Sequence, residues 1–106
     1  MRGVGDEGPL IGKMRSELDL LRRHVRLLRA VEEHQPIGII RLAELLGYPQ
    51  HKVRYTLRVL EQAGLIEPSQ EGAVVTDRVP RFRDRLRELL EDMVRTVEEL
   101  QGSLGG

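Results

Sequence analysis

The chain contains no cysteine. That excludes disulfides, thiolate metal sites and thiol redox chemistry, and it suits a reducing compartment. Aromatic residues are nearly as scarce, with Tyr48, Tyr55 and Phe82 making up the whole set. Platforms for single-stranded nucleic acid stack bases on several aromatics sharing one surface, so that mode of binding is excluded and the core must be aliphatic. Neither sign of charge is in excess, with 17 Lys and Arg against 17 Asp and Glu. Net charge therefore gives no support to nucleic-acid binding, and only its local distribution can. No apolar run approaches membrane-spanning length and no signal peptide opens the chain, so a cytoplasmic protein with no membrane partner is expected.

Catalytic constellations are missing too. Ser16, Thr56, Ser69, Thr76, Thr96 and Ser103 have no histidine at a telling spacing. Glu32-Glu33 and Glu98-Glu99 are adjacent pairs, which diverge around a helix rather than converge on a substrate. His24, His34 and His51 lack the three- or four-residue spacing of a metal pair on one helix. The expectation is a non-enzyme without cofactor or metal.

What the sequence does carry is centred on residues 36–66. Ile39, Leu42, Ala43 and Leu46 recur at helical steps, and Gly47 follows where a helix end tolerates a left-handed residue. Pro49 then opens a second helix, residues 50–63, with Val53, Leu57 and Leu60 on one face. Two helices joined by so short a turn form a helix-turn-helix. The other face of the second helix carries Gln50, His51, Lys52, Arg54, Tyr55, Arg58 and Gln62. It is basic through two turns and becomes acidic only at Glu61. A helix of this kind suits the major groove, where Arg, Lys, Gln and Asn read base edges.

Residues 1–9 are glycine-rich and without period, and are expected to be disordered. Residues 10–33 predict one long helix with a heptad seam of Met14, Leu18, Leu21, Val25 and Leu28, widened by Leu20, Leu27 and Val31. Gln35-Pro36 ends it. Its basic run, Arg22, Arg23, Arg26 and Arg29, reads as a solvated face ahead of a phosphate contact. Residues 65–77 predict a β-hairpin, with strands at 65–67 and 73–76 around a tip of Pro68, Ser69, Gln70, Glu71 and Gly72. A last helix, residues 78–101, takes Asp77 as its cap, tolerates Pro80 in its first turn and carries Val79, Phe82, Leu86, Leu89, Met93, Val97 and Leu100 at three- and four-residue steps. Residues 102–106 form a fraying tail. The predicted domains are thus 10–77 and a terminal helix, 78–101. The fold class is mainly α with a small β-hairpin.

The run Leu42-Ala43-Glu44-Leu45-Leu46-Gly47, followed by Val53, Leu57 and Leu60-Glu61-Gln62-Ala63-Gly64-Leu65-Ile66, resembles the winged helix-turn-helix domain of prokaryotic transcription regulators of the ArsR and MarR type. The likeness covers residues 25–76 and is most specific in its Leu-Glu-x-Ala-Gly-Leu-Ile ending. It implies a winged helix-turn-helix flanked by long N- and C-terminal dimerisation helices. It also implies that Gln50, His51, Lys52, Arg54, Tyr55 and Arg58 contact DNA. For Tyr55, a phosphate bond and packing against the preceding helix both stay open. The chain departs from the pattern in having Pro49 where a Ser or Thr commonly caps the recognition helix. It departs again in a wing with Glu67 and Glu71 and no Lys or Arg, which phosphates would repel.

The expected function is a homodimeric transcription regulator that places residues 50–63 in the major groove of a palindromic double-stranded site. Two alternatives stand beside it: a winged-helix module that binds protein, and an architectural DNA-binding protein with little sequence preference.

Overall fold

The computed structural model describes residues 4–105. It is mainly helical, with α1 (Val4–His34), α2 (Ile39–Leu46), α3 (Gln50–Gln62), a hairpin of β1 (Ile66–Ser69) and β2 (Gly72–Val75), and α4 (Val79–Ser103). The chain divides into two compact units after Thr76. Among the described residues no helix is long and apolar enough to cross a membrane.

The first helix begins earlier than its periodicity suggests. Of the segment expected to be disordered, residues 1–3 lie outside the described residues, as does residue 106 of the tail. From Val4 the backbone is helical, broken at Gly8 (φ 73°, ψ 174°) and resumed at Pro9. Proline suits a first helical position because its missing N–H would be unpaired there anyway. The uninterrupted part of α1 thus starts one residue before the predicted boundary.

The predicted heptad seam of α1 has two fates. Leu27, Leu28, Ala30 and Val31 are buried, whereas Met14 and Leu18 are about half exposed, at 51% and 56%. A helix of this length spans roughly 45 Å, more than a core built on two short helices can cover. That core joins the C-terminal half of α1 to Ile37, Leu42, Val53, Leu57, Leu60, Leu65, Ile66 and Ala73, all buried.

The end of α3 is set by Gly64 at φ 78°. Its N–H donates to Glu61 O (2.9 Å), and Leu65 N–H donates to Leu60 O (3.0 Å). This pair of bonds satisfies two carbonyls left over at the helix end, and only glycine adopts the left-handed turn without strain. The same turn delivers Leu65 and Ile66 into the core. β1 and β2 pair antiparallel with Ile66 opposite Val75 and Ser69 opposite Gly72. The strands are shifted toward the tip relative to the sequence reading. Ser69 Oγ donates to Gly72 O (2.6 Å) and accepts from Glu71 N–H (3.3 Å), which closes a tight turn around Gln70 and Glu71. Ile37 adds a bridge on the outer side of β2, exchanging backbone bonds with Ala73 at 3.2 and 2.7 Å. Gln35 Oε1 accepts from Val75 N–H at 2.9 Å beside it.

In the second unit, Pro80 falls in the first turn of α4 as predicted. The cap does not: Arg78, not Asp77, occupies the N-cap, and no side chain bonds there. The helix runs past residue 101 to Ser103, whose hydroxyl donates back to Glu99 O at 3.0 Å. Along α4, Leu89, Leu90, Val94, Val97 and Leu100 are exposed.

Candidate functional site

The site is built on α3. At about 100° per residue, Val53, Leu57 and Leu60 fall on one side of the helix, and all three are buried. The same winding turns most of the remaining side chains outward, Thr56 and Val59 excepted. Gln50, His51, Lys52, Arg54, Tyr55 and Arg58 are all exposed, as is Gln62. No acidic residue stands in the first turn. Pro49 is the N-cap and offers no side-chain bond.

The exposed residues form a graded strip. Toward α2, Gln50 and Arg54 line a shallow cleft of about 570 Å³ with Gly38, Ile39, Ile40, Arg41 and Glu44. Long donors from two helices thus share one edge. Toward α1 lies Tyr55. The Tyr55 ring sits 6.3 Å from the His24 ring, tilted by 32°, and the residue stays 47% exposed. The ring contact of Tyr55 is thus with α1, rather than with the preceding helix, α2, that the sequence pointed to.

Residues next to α3 that periodicity did not single out hold it in place. Thr56 is fully buried. Arg23 Nε donates to its Oγ1 at 3.0 Å, and His24 Nδ1 lies 3.1 Å from the same oxygen. Burial, and then the neighbouring Arg23 charge, lowers the His24 pKa from its ordinary value. In the neutral ring with its proton on Nε2, Nδ1 accepts the Thr56 hydroxyl hydrogen while Thr56 Oγ1 accepts from Arg23. Arg23 is therefore not a solvated residue, contrary to the reading of the basic run. Arg26 stays exposed, but its Nη1 donates to Tyr48 Oη at 3.1 Å, and its guanidinium lies 5.2 Å from the centre of the Tyr48 ring. Arg29 is paired with Glu33 at 2.6 Å, and Arg22 stands 3.8 Å from Asp19.

Two signals for these contacts were present in the sequence. Thr56 lies on the flank of the apolar stripe three residues after Val53, and Arg23 and His24 lie one turn before Leu27 and Leu28. A stripe flank is where a polar side chain is half drawn into the core, but its partner on another helix cannot be read from spacing.

Residues 19–80, more than half of the chain, match the model of the HVO_A0114 family. The chain belongs to the HVO_A0114 family. The family segment begins within α1, takes in α2, α3 and the hairpin, and ends at the start of α4. All six candidate residues of α3 lie inside it, as do Arg23, His24, Arg26, Tyr48 and Thr56. No curated protein matches the chain.

The hairpin surface has the opposite sign. Glu67 and Glu71 are exposed on the hairpin. Among the described residues no group of three or more His, Cys, Asp or Glu converges where a metal ion would sit.

Proposed function

We propose that this protein is a DNA-binding transcription regulator of the winged helix-turn-helix type, resembling the ArsR and MarR regulators. In this reading α3 enters the major groove of a double-stranded site, and the hairpin is the wing. The observation that carries it is the division of α3. Its apolar side is buried while Gln50, His51, Lys52, Arg54, Tyr55 and Arg58 are all exposed. Arg54 and Arg58, four residues apart on one side, suit guanine edges or phosphates. Gln50 and His51, at the start of the helix, are where such a motif meets bases.

A homodimer through the first and last helices completes the reading. Leu10, Ile11, Met14 and Leu18 in α1 are exposed, as are the apolar residues of α4. A two-fold pair is the commonest closed assembly. It would set two α3 helices about one DNA turn apart on a palindrome.

The test is titration of a labelled duplex under varied salt. With roughly four phosphates neutralised per protomer, log affinity should fall against log salt with a slope of about −7 for the dimer. Replacing Arg54 and Arg58 together by Ala should weaken binding by at least tenfold. A flat salt response, or full binding by that variant, would count against the reading.

A second reading rests on the exposed carboxylates of the hairpin, Glu67 and Glu71. They suit a protein partner better than phosphate. A module that binds protein would ignore duplex DNA even at low salt, and an architectural DNA binder would hold all duplexes alike.

A further inference from the structure

The contact between Arg26 of α1 and Tyr48, two residues ahead of α3, has the chemistry of an anion clamp. Arg26 is exposed and Tyr48 half-buried. The guanidinium lies over the ring at 5.2 Å and donates one N–H to the phenol oxygen at 3.1 Å. Five N–H donors belong to an arginine, so four stay available. The phenol oxygen accepts from Arg26, which leaves its own O–H to donate. The pair thus presents donors and a full positive charge. Stacking and hydrogen bond together restrain a long side chain before any ligand arrives, so less conformational freedom is lost on binding. Neighbouring charge is mixed: Arg22, one turn earlier on α1, is exposed but stands 3.8 Å from Asp19, Glu33 shares a cleft with Arg26, and Lys52 is exposed one turn beyond Tyr48. Arg29, one turn after Arg26, is already committed to Glu33.

We infer that Arg26 and Tyr48 form a preassembled clamp for a backbone phosphate of duplex DNA, which extends the contact surface of α3 onto α1. The inference rests on the DNA-binding reading above and adds residues to it. The clamp holds phosphate and carries no base information, so it sets affinity and register rather than sequence choice.

The experiment uses the full chain and a fluorescein-labelled random-sequence duplex, titrated from about 50 mM salt upward. Arg26→Gln should lose about eight- to tenfold in affinity near 0.1 M salt, and make the salt slope shallower by about one, for each protomer engaged. Tyr48→Phe keeps the ring and removes the hydroxyl, and should lose roughly two- to threefold, the scale of one modest hydrogen bond. Arg29→Ala, the control, should keep the wild-type slope. Circular dichroism melting verifies that each variant is folded, and Tyr48→Phe carries the test if Arg26→Gln is not. If both clamp variants bind like the wild type while the Arg54→Ala, Arg58→Ala double variant is impaired, the clamp is wrong and the DNA reading stands. Equal losses in Arg26→Gln and Arg29→Ala also overturn the clamp, because diffuse charge would then suffice. If the wild type fails to bind duplex at low salt, both readings fall together.

Discussion

Gly72 lies flat against the backbone of Ile37: a Cβ at position 72 would stand 2.5 Å from the Ile37 carbonyl carbon and 2.6 Å from its nitrogen. The φ of Gly72 is 136°, a conformation that other residues rarely adopt. This close approach lets Ala73 exchange both backbone bonds with Ile37, tying the hairpin to the segment between α1 and α2.

Gly72→Ala should therefore destabilise the domain by about 2–5 kcal/mol, combining backbone strain with a clash that backbone atoms cannot yield to. Gly38→Ala is the matched control. Gly38 has open space around its missing Cβ and φ −95°, so its cost should stay within about 1 kcal/mol. Urea denaturation of both variants measures this, and equal midpoints would show that the Ile37 contact is not what demands glycine at 72.

His24 should make stability depend on pH in a defined direction. Its folded pKa is lowered from the ordinary 6.5 by burial and by Arg23. The unfolded chain therefore binds the proton more readily than the folded one. The contribution is fully present above about pH 6.5 and is lost as pH falls through the folded value. The groups facing His24 are Arg23 on its own helix and Thr56 and Tyr55 on α3. A protonated ring would sit beside Arg23 and could no longer accept from Thr56. Urea midpoints from pH 7.5 to pH 5 should drop more steeply for the wild type than for His24→Gln. Parallel curves would assign the decline to other groups.

The exposed apolar residues of α4 predict self-association. Val97 is 52% and Leu100 57% exposed. Val97→Glu combined with Leu100→Glu should convert a sedimenting dimer to monomer while helicity by circular dichroism is retained, because neither side chain is in a core. A wild-type chain that sediments as a monomer at about 100 µM, far above the dissociation constant of a stable dimer, would remove the dimer from the functional reading.

Much of the α2–α3 segment was legible because local rules agree there. Gly47 and Gly64 mark helix ends, Pro49 marks a start, and the apolar steps between them have one period. The outward set on α3 follows from the same period. The hairpin was placed but its register was not, since Ser69 sets the tip through bonds that strand composition does not reveal. Met14 and Leu18 share a seam with Leu28 in sequence, and only the length of the core separates exposed from buried. The disorder expected for residues 4–9 gave way to helix, interrupted only at Gly8.

By itself the amino-acid order determined where the helices of the motif start and stop and which side of each is apolar. Those properties depend on backbone preference and on residues within one or two turns. Only the tertiary structure decided that Thr56 is a buried anchor for Arg23 and His24, that Tyr48 carries Arg26, and that Gly72 rests on Ile37. The side-chain partners lie 22 to 33 residues apart. Their meeting depends on how α1 packs across α3, and packing is set by the shape of the whole core rather than by any local run of residues.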